Sequence, residues 1–137
     1  MAKKRIKAPE TKQSSRINIT ESVNYDQRAP IFSLERVQAG GFCFSSLDQE
    51  HKAQFAESMF KRKSLPWAKV KTLDRHGLGL EKIAKTSIKA ALPPFITEDN
   101  EDLIALRFHG KKPMVGYRVR DVFYVLWFDH NFTLYNH

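Results

Sequence analysis

The sequence has a single cysteine, Cys43, among its 137 residues, no long apolar run, and fewer acidic than basic side chains. One thiol can form neither an intrachain disulfide nor a cysteine-rich zinc site, so nothing in the chain calls for an oxidising compartment. Flanked by Phe42 and Phe44, it reads as a core residue rather than a nucleophile. The longest apolar stretch, Val122 to Phe128, is far short of the roughly 20 residues that a membrane-spanning helix needs. The basic start of the chain is not followed by the apolar segment of a secretory signal, so the expectation is a cytoplasmic protein without membrane contact. Gly77-Leu78-Gly79 lacks the lysine and the spacing of a phosphate-binding Walker loop. There is no HExxH, no CxxC and no aspartate cluster. Asp129-His130-Asn131, which with His137 could be imagined around a metal, reads more simply as turn chemistry, so neither metal nor cofactor is expected.

What is present is positive charge. Lys and Arg number 23 against 15 Asp and Glu, a formal charge of +8, and the isoelectric point is near 9.7. Such a balance favours a polyanionic partner, with nucleic acid ahead of an anionic membrane. The length suits one domain. Residues 1–29 carry Lys3, Lys4, Arg5, Lys7, Lys12, Arg16 and Arg28 against Glu10, Glu21 and Asp26, with few large apolar side chains. Such a segment cannot offset the entropy of its own ordering, so a disordered basic arm is expected before a single domain over 30–137.

Within that domain, Pro30 to Leu34 and Phe42 to Phe44 read as extended chain, one or both as strands. Ser46-Leu47-Asp48-Gln49 has the form of a capping box, and Phe55, Ala56, Met59 and Phe60 predict a helix to about Lys63. A short second helix is expected after Ser64-Leu65-Pro66, with Trp67, Val70 and Leu73 on one face, and a third helical piece within Glu81 to Leu92. Strands then follow. Ile104, Leu106 and Phe108 share one parity, with Arg107 and His109 on the other; beyond the turn at Gly110 to Pro113, Val115, Tyr117 and Val119 oppose Arg118 and Arg120. Val122 to Phe128 reads as a strand buried on both faces, and Phe132 to His137 as a last strand. The predicted class is α+β, with N-terminal helices packed on one face of a C-terminal antiparallel sheet whose other face is partly free.

Arg107 to Arg120 holds Arg107, Lys111, Lys112, Arg118 and Arg120, no acidic residue, and Phe108, His109 and Tyr117 between them. Guanidinium forks hold phosphate oxygens and neighbouring rings stack on bases, so this segment reads as a phosphate-binding strip. His76 beside Arg75, His109 and His137 are the histidines placed to exchange a proton at a phosphate.

Gly116-Tyr117-Arg118-Val119-Arg120, then Val122-Phe123-Tyr124-Val125-Leu126-Trp127, then Tyr135-Asn136-His137 resemble the strand, turn, strand and aromatic/His C-terminus of the RelE/ParE-like toxin superfamily of bacterial toxin–antitoxin modules. The resemblance implies a RelE-like fold and a metal-independent endoribonuclease that cuts mRNA, often at the ribosome, by attack of the ribose 2′-hydroxyl, and that a cognate antitoxin neutralises. It implies roles for Arg118, Tyr135 and His137 in catalysis, with Arg107 and His109 beside them and Glu81 as a base. Lys111, Lys112, Tyr117, Arg120, Arg75 and His76 would bind the nucleic acid. Two other classes stay open: a gyrase-poisoning toxin of the same fold, and a non-enzymatic RNA- or DNA-binding module.

Overall fold

The computed structural model describes residues 22–99 and 102–137. Among them, strand β1 (Ile31–Ser33) is followed by helix α1 (Gln49–Lys61), the one-turn helix α2 (Trp67–Val70), and strands β2 (Leu80–Ile83), β3 (Leu103–His109), β4 (Lys112–Val119) and β5 (Val122–Phe128). They form one five-stranded sheet in the order β1-β5-β4-β3-β2. β2 to β5 make an antiparallel meander, whereas β1 joins β5 in parallel. The sheet is therefore mixed, not purely antiparallel, and the class is α+β.

α1 begins two residues later than the capping-box reading places it. Asp48, not Ser46, is the N-cap, and its carboxylate accepts the His51 backbone N–H at 2.9 Å. Asp48→Ala should cost about 1 kcal/mol, the usual worth of an N-cap side chain, read as a lower urea midpoint. Phe55 is buried and Met59 half-buried on the face of α1 that meets the sheet, and Trp67 and Val70 of α2 are fully enclosed. They pack on Leu106, Phe108, Met114, Phe123, Val125 and Phe128. The Trp67 indole N–H donates to the Asp121 carbonyl at 3.0 Å, which satisfies the one polar atom that this large side chain buries.

The opposite face of the sheet is not free. Leu103, Ala105, Val115, Tyr117, Leu126 and Trp127 lie there under a cover that includes Ile88, Ile96, Leu134 and Tyr135. This cover comes from segments read as helical and as a strand in the sequence. Glu81 instead lies in β2 and the helical part shrinks to a 3-10 turn, Lys85–Ser87. Residues 132–137 are irregular: Phe132 is left-handed (φ 58°) and the Thr133 N–H donates to Asp129 Oδ1 at 2.8 Å, which turns the chain out of the sheet. Phe42 to Phe44 is likewise not a strand, and Cys43 is only half-buried.

Two irregularities decide where side chains point. The β3–β4 register shifts between Arg107 and His109, and the β4–β5 register shifts between Val115 and Gly116. At the second, a Cβ on Gly116 would lie 1.9 Å from the Tyr124 carbonyl oxygen, so only glycine fits. The end of the expected disordered arm, residues 22–29, is instead folded onto the domain. Tyr25–Gln27 form a 3-10 turn, the Trp67 N–H donates to the Arg28 carbonyl, and Asp26 pairs with Lys71 and Arg118, each at 2.7 Å. Lys71 first, then Arg118, hold the Asp26 carboxyl below its ordinary range. The rest of that expectation, residues 1–21, lies outside the described residues.

Candidate functional site

At the end of the sheet where β3 turns into β4, a cleft of ≈ 290 Å³ opens between β2, the loop before it and residues 132–137. Arg75, His76, Glu81, Arg107, Lys111, Tyr135 and His137 all line it. Most of the residues singled out in the sequence thus converge here from segments far apart in the chain.

Arg107 points away from the helices, beside Leu103 and Ala105, because β3 alternates. Its side chain is almost enclosed: Nη1 donates to Glu81 Oε1 at 2.8 Å and Nε to the Lys111 carbonyl at 3.1 Å. The other Glu81 oxygen accepts from Arg75 Nη1 at 3.2 Å. With both oxygens taken by arginines, Glu81 positions cations and is not a free base, which corrects the role expected of it.

On the opposite wall, His137 Nε2 lies 2.9 Å from Asp129 Oδ2, and Asp129 is 0% exposed. An ionised Asp129 makes Nε2 the donor and leaves Nδ1 with the lone pair, the nitrogen able to take a proton. Asp129 is the candidate-site residue that the sequence assigned to a turn alone. It does serve the turn, through Thr133, but its second oxygen orients a histidine. No signal in the sequence pairs it with His137, because residues 132–137 read there as a strand.

Tyr135 stacks obliquely on His137, ring centroids 4.1 Å apart, and is only 4% exposed. Its hydroxyl is buried without a hydrogen-bond partner, although leaving such a group unpaired is costly. Burial is the main cause that pushes the phenol up to about 12; Arg107 nearby lowers it, while Glu81 raises it further. The hydroxyl therefore stays protonated across the neutral range, a donor and not a base. Because the native state holds this proton more tightly than the unfolded chain, this group alone makes stability fall as pH rises from about 10 to about 12.

The remaining expected site residues lie elsewhere. Arg118 is on the helix side, over the Trp67 ring at 4.5 Å and bonded to Asp26. A larger hollow of ≈ 570 Å³ includes Arg118, Lys71 and Lys82, but its arginine is already paired and no orphaned buried side-chain polar atom faces it. Tyr117 accepts from Arg36 Nη1 at 3.0 Å, and Arg120 sits in the β4–β5 turn with φ 59°. His109 and Lys112 meet α1: His109 lies 3.3 Å from Glu50 and Lys112 Nζ lies 2.8 Å from His51 Nε2. The register shift at Phe108 separates His109 from Arg107, so the continuous basic strip read from Arg107 to Arg120 does not exist. Among the described residues, no group of three or more His, Cys, Asp or Glu side chains is placed to share a metal ion, and no helix is long and apolar enough to cross a membrane.

The chain matches no protein-family model, no curated protein and no solved structure.

Proposed function

We propose that the protein is an endoribonuclease that cleaves RNA by attack of a ribose 2′-hydroxyl on the adjacent phosphate. The observation that carries this reading is a carboxylate-oriented histidine, His137, that lines one cleft with Arg107, Arg75 and Lys111. Arg107, Arg75 and Lys111 supply the charge that stabilises a phosphorane. His137 Nδ1 takes the proton of the 2′-hydroxyl as its oxygen bonds to phosphorus. The bond to the 5′-oxygen breaks, water at the open mouth of the cleft protonates that oxygen, and a 2′,3′-cyclic phosphate remains. A toxin role with a cognate antitoxin, expected from the strand and C-terminal motifs, accompanies this reading. It rests on that resemblance alone.

The test is incubation of purified protein with matched RNA and DNA oligonucleotides in the presence of a chelator. Fragments ending in 2′,3′-cyclic phosphate and 5′-hydroxyl, from RNA only, are expected; intact RNA at high protein concentration would refute the enzyme and leave a binding module. Tyr135→Phe separates structure from chemistry. Removing a buried orphan should leave stability unchanged or raise it by about 1 kcal/mol, while cleavage stays within about threefold of wild type, because the enclosed hydroxyl does not reach the substrate.

A further inference from the structure

A second hollow, ≈ 350 Å³, adjoins the cleft and shares His76 and Arg107 with it. It runs between α1, which contributes Gln54, Glu57 and Lys61, and the 76–78 loop, and it ends at His109 and Gly110. Lys61, His76 and Glu57 are exposed, and Gln54 is half-exposed. The loop wall is held in place from beneath. Arg62 is completely buried and donates to the carbonyls of Ser58, Gly77 and Leu78 at 3.2, 3.4 and 3.1 Å. No carboxylate among the described residues lies within ion-pair distance of it, so its positive charge is uncompensated in the wall of the groove.

Resting on the RNA-cleavage reading, we infer that this groove is a second nucleotide subsite, so that the substrate is a single strand longer than a dinucleotide. A chain whose reacting phosphate meets Arg107 must continue past one side of that arginine. The groove that opens there offers Lys61 and His76 to the next phosphate, with the buried Arg62 charge adding to the attraction. Gln54 and Glu57 face the same space with the amide and carboxylate chemistry that reads base edges, an acceptor such as Glu57 suiting an exocyclic amine. A mononucleotide or dinucleotide would fill the cleft and leave this wall idle.

The test uses non-cleavable 2′-fluoro pools of random sequence, dinucleotide against hexanucleotide, with binding read by fluorescence anisotropy on wild type and on Lys61→Ala/Gln54→Ala. The hexanucleotide should bind the wild type about tenfold more tightly than the dinucleotide, and the gain should shrink to about threefold or less in the variant with dinucleotide affinity unchanged. The slope of log affinity against log salt for the hexanucleotide should drop by about 0.7, one phosphate contact on a single strand. Equal affinities for the two lengths in wild type, or a gain that survives both substitutions, would overturn the subsite. The same preparations are assayed on cleavable RNA. Cleavage without a length gain discards the groove and keeps the enzyme, whereas a length gain without cleavage keeps the groove and discards the enzyme.

Discussion

His137→Ala is expected to lower RNA cleavage by about 10³-fold, the worth of a positioned general base, and to lower stability by about 1–3 kcal/mol, because Oδ2 of the buried Asp129 loses its partner. Asp129→Asn should come close to the same loss for a reason specific to this geometry. The Thr133 N–H donates to Oδ1 at 2.8 Å, which requires an oxygen there, so the asparagine NH₂ must occupy the Oδ2 position 2.9 Å from His137 Nε2. The amide then donates to Nε2 and places the imidazole proton on Nδ1, where the 2′-hydroxyl proton would have to go. Steady-state cleavage of a labelled RNA, with circular dichroism to verify folding, checks both. If His137→Ala cleaves within about threefold of wild type, the general base is another group and the assignment fails. Expression in a bacterial host extends the test to the toxin reading: growth arrest with new mRNA 5′ ends, both absent in His137→Ala, is the expected outcome. Arrest with intact mRNA would point to a target such as gyrase.

The second large effect is expected at Arg62. Arg62→Ala should destabilise the fold by about 3–5 kcal/mol, combining a cavity under α1 with carbonyls left without a donor. Burial lowers the guanidinium to about 10, so at neutral pH it is still charged. What the protein gains from this costly placement is the geometry of three carbonyls on two elements held by one planar fork. Arg62→Lys keeps the charge but not the fork and should recover only part of the loss. Urea unfolding measures both. A change below about 1 kcal/mol for Arg62→Ala would mean that the Gly77–Leu78 wall is held by other contacts.

The parts of the fold legible in the sequence are those governed by period. Alternation through Ile104, Leu106 and Phe108 marks β3, the Gly110 turn marks the hairpin, and Phe55 with Met59 marks the buried face of α1. Single inserted residues broke the pattern elsewhere. Alternation puts Arg107 and His109 on one face, but the irregularity at Phe108 turns His109 to α1, and no local signal foretells it. Pairing across the chain was equally hidden. Alternation in β4 sets Arg118 opposite Val115 and Tyr117, but it does not show that this face meets α2 or that the distant Asp26 and Trp67 take up the side chain. The candidate site was legible as a set of residue types, since Arg75, Glu81, Arg107, Tyr135 and His137 do meet. Their roles were not. Glu81 loses its freedom to two arginines, and Asp129 gains a histidine, through contacts that spacing does not encode.

The parallel pairing of β1 with β5 has a temporal consequence. Ile31 meets Val122, so the first strand must wait for almost all of the domain to be synthesised before it finds its neighbour. The cleft waits longer still, because Asp129, Tyr135 and His137 follow β5. While the nascent chain is still emerging, Arg107 and Glu81 can pair, but the wall that carries the proton acceptor has not been made. Under the proposed RNA cleavage, a protein assembled in this order would stay inert toward the message that encodes it until translation has passed the last of these residues.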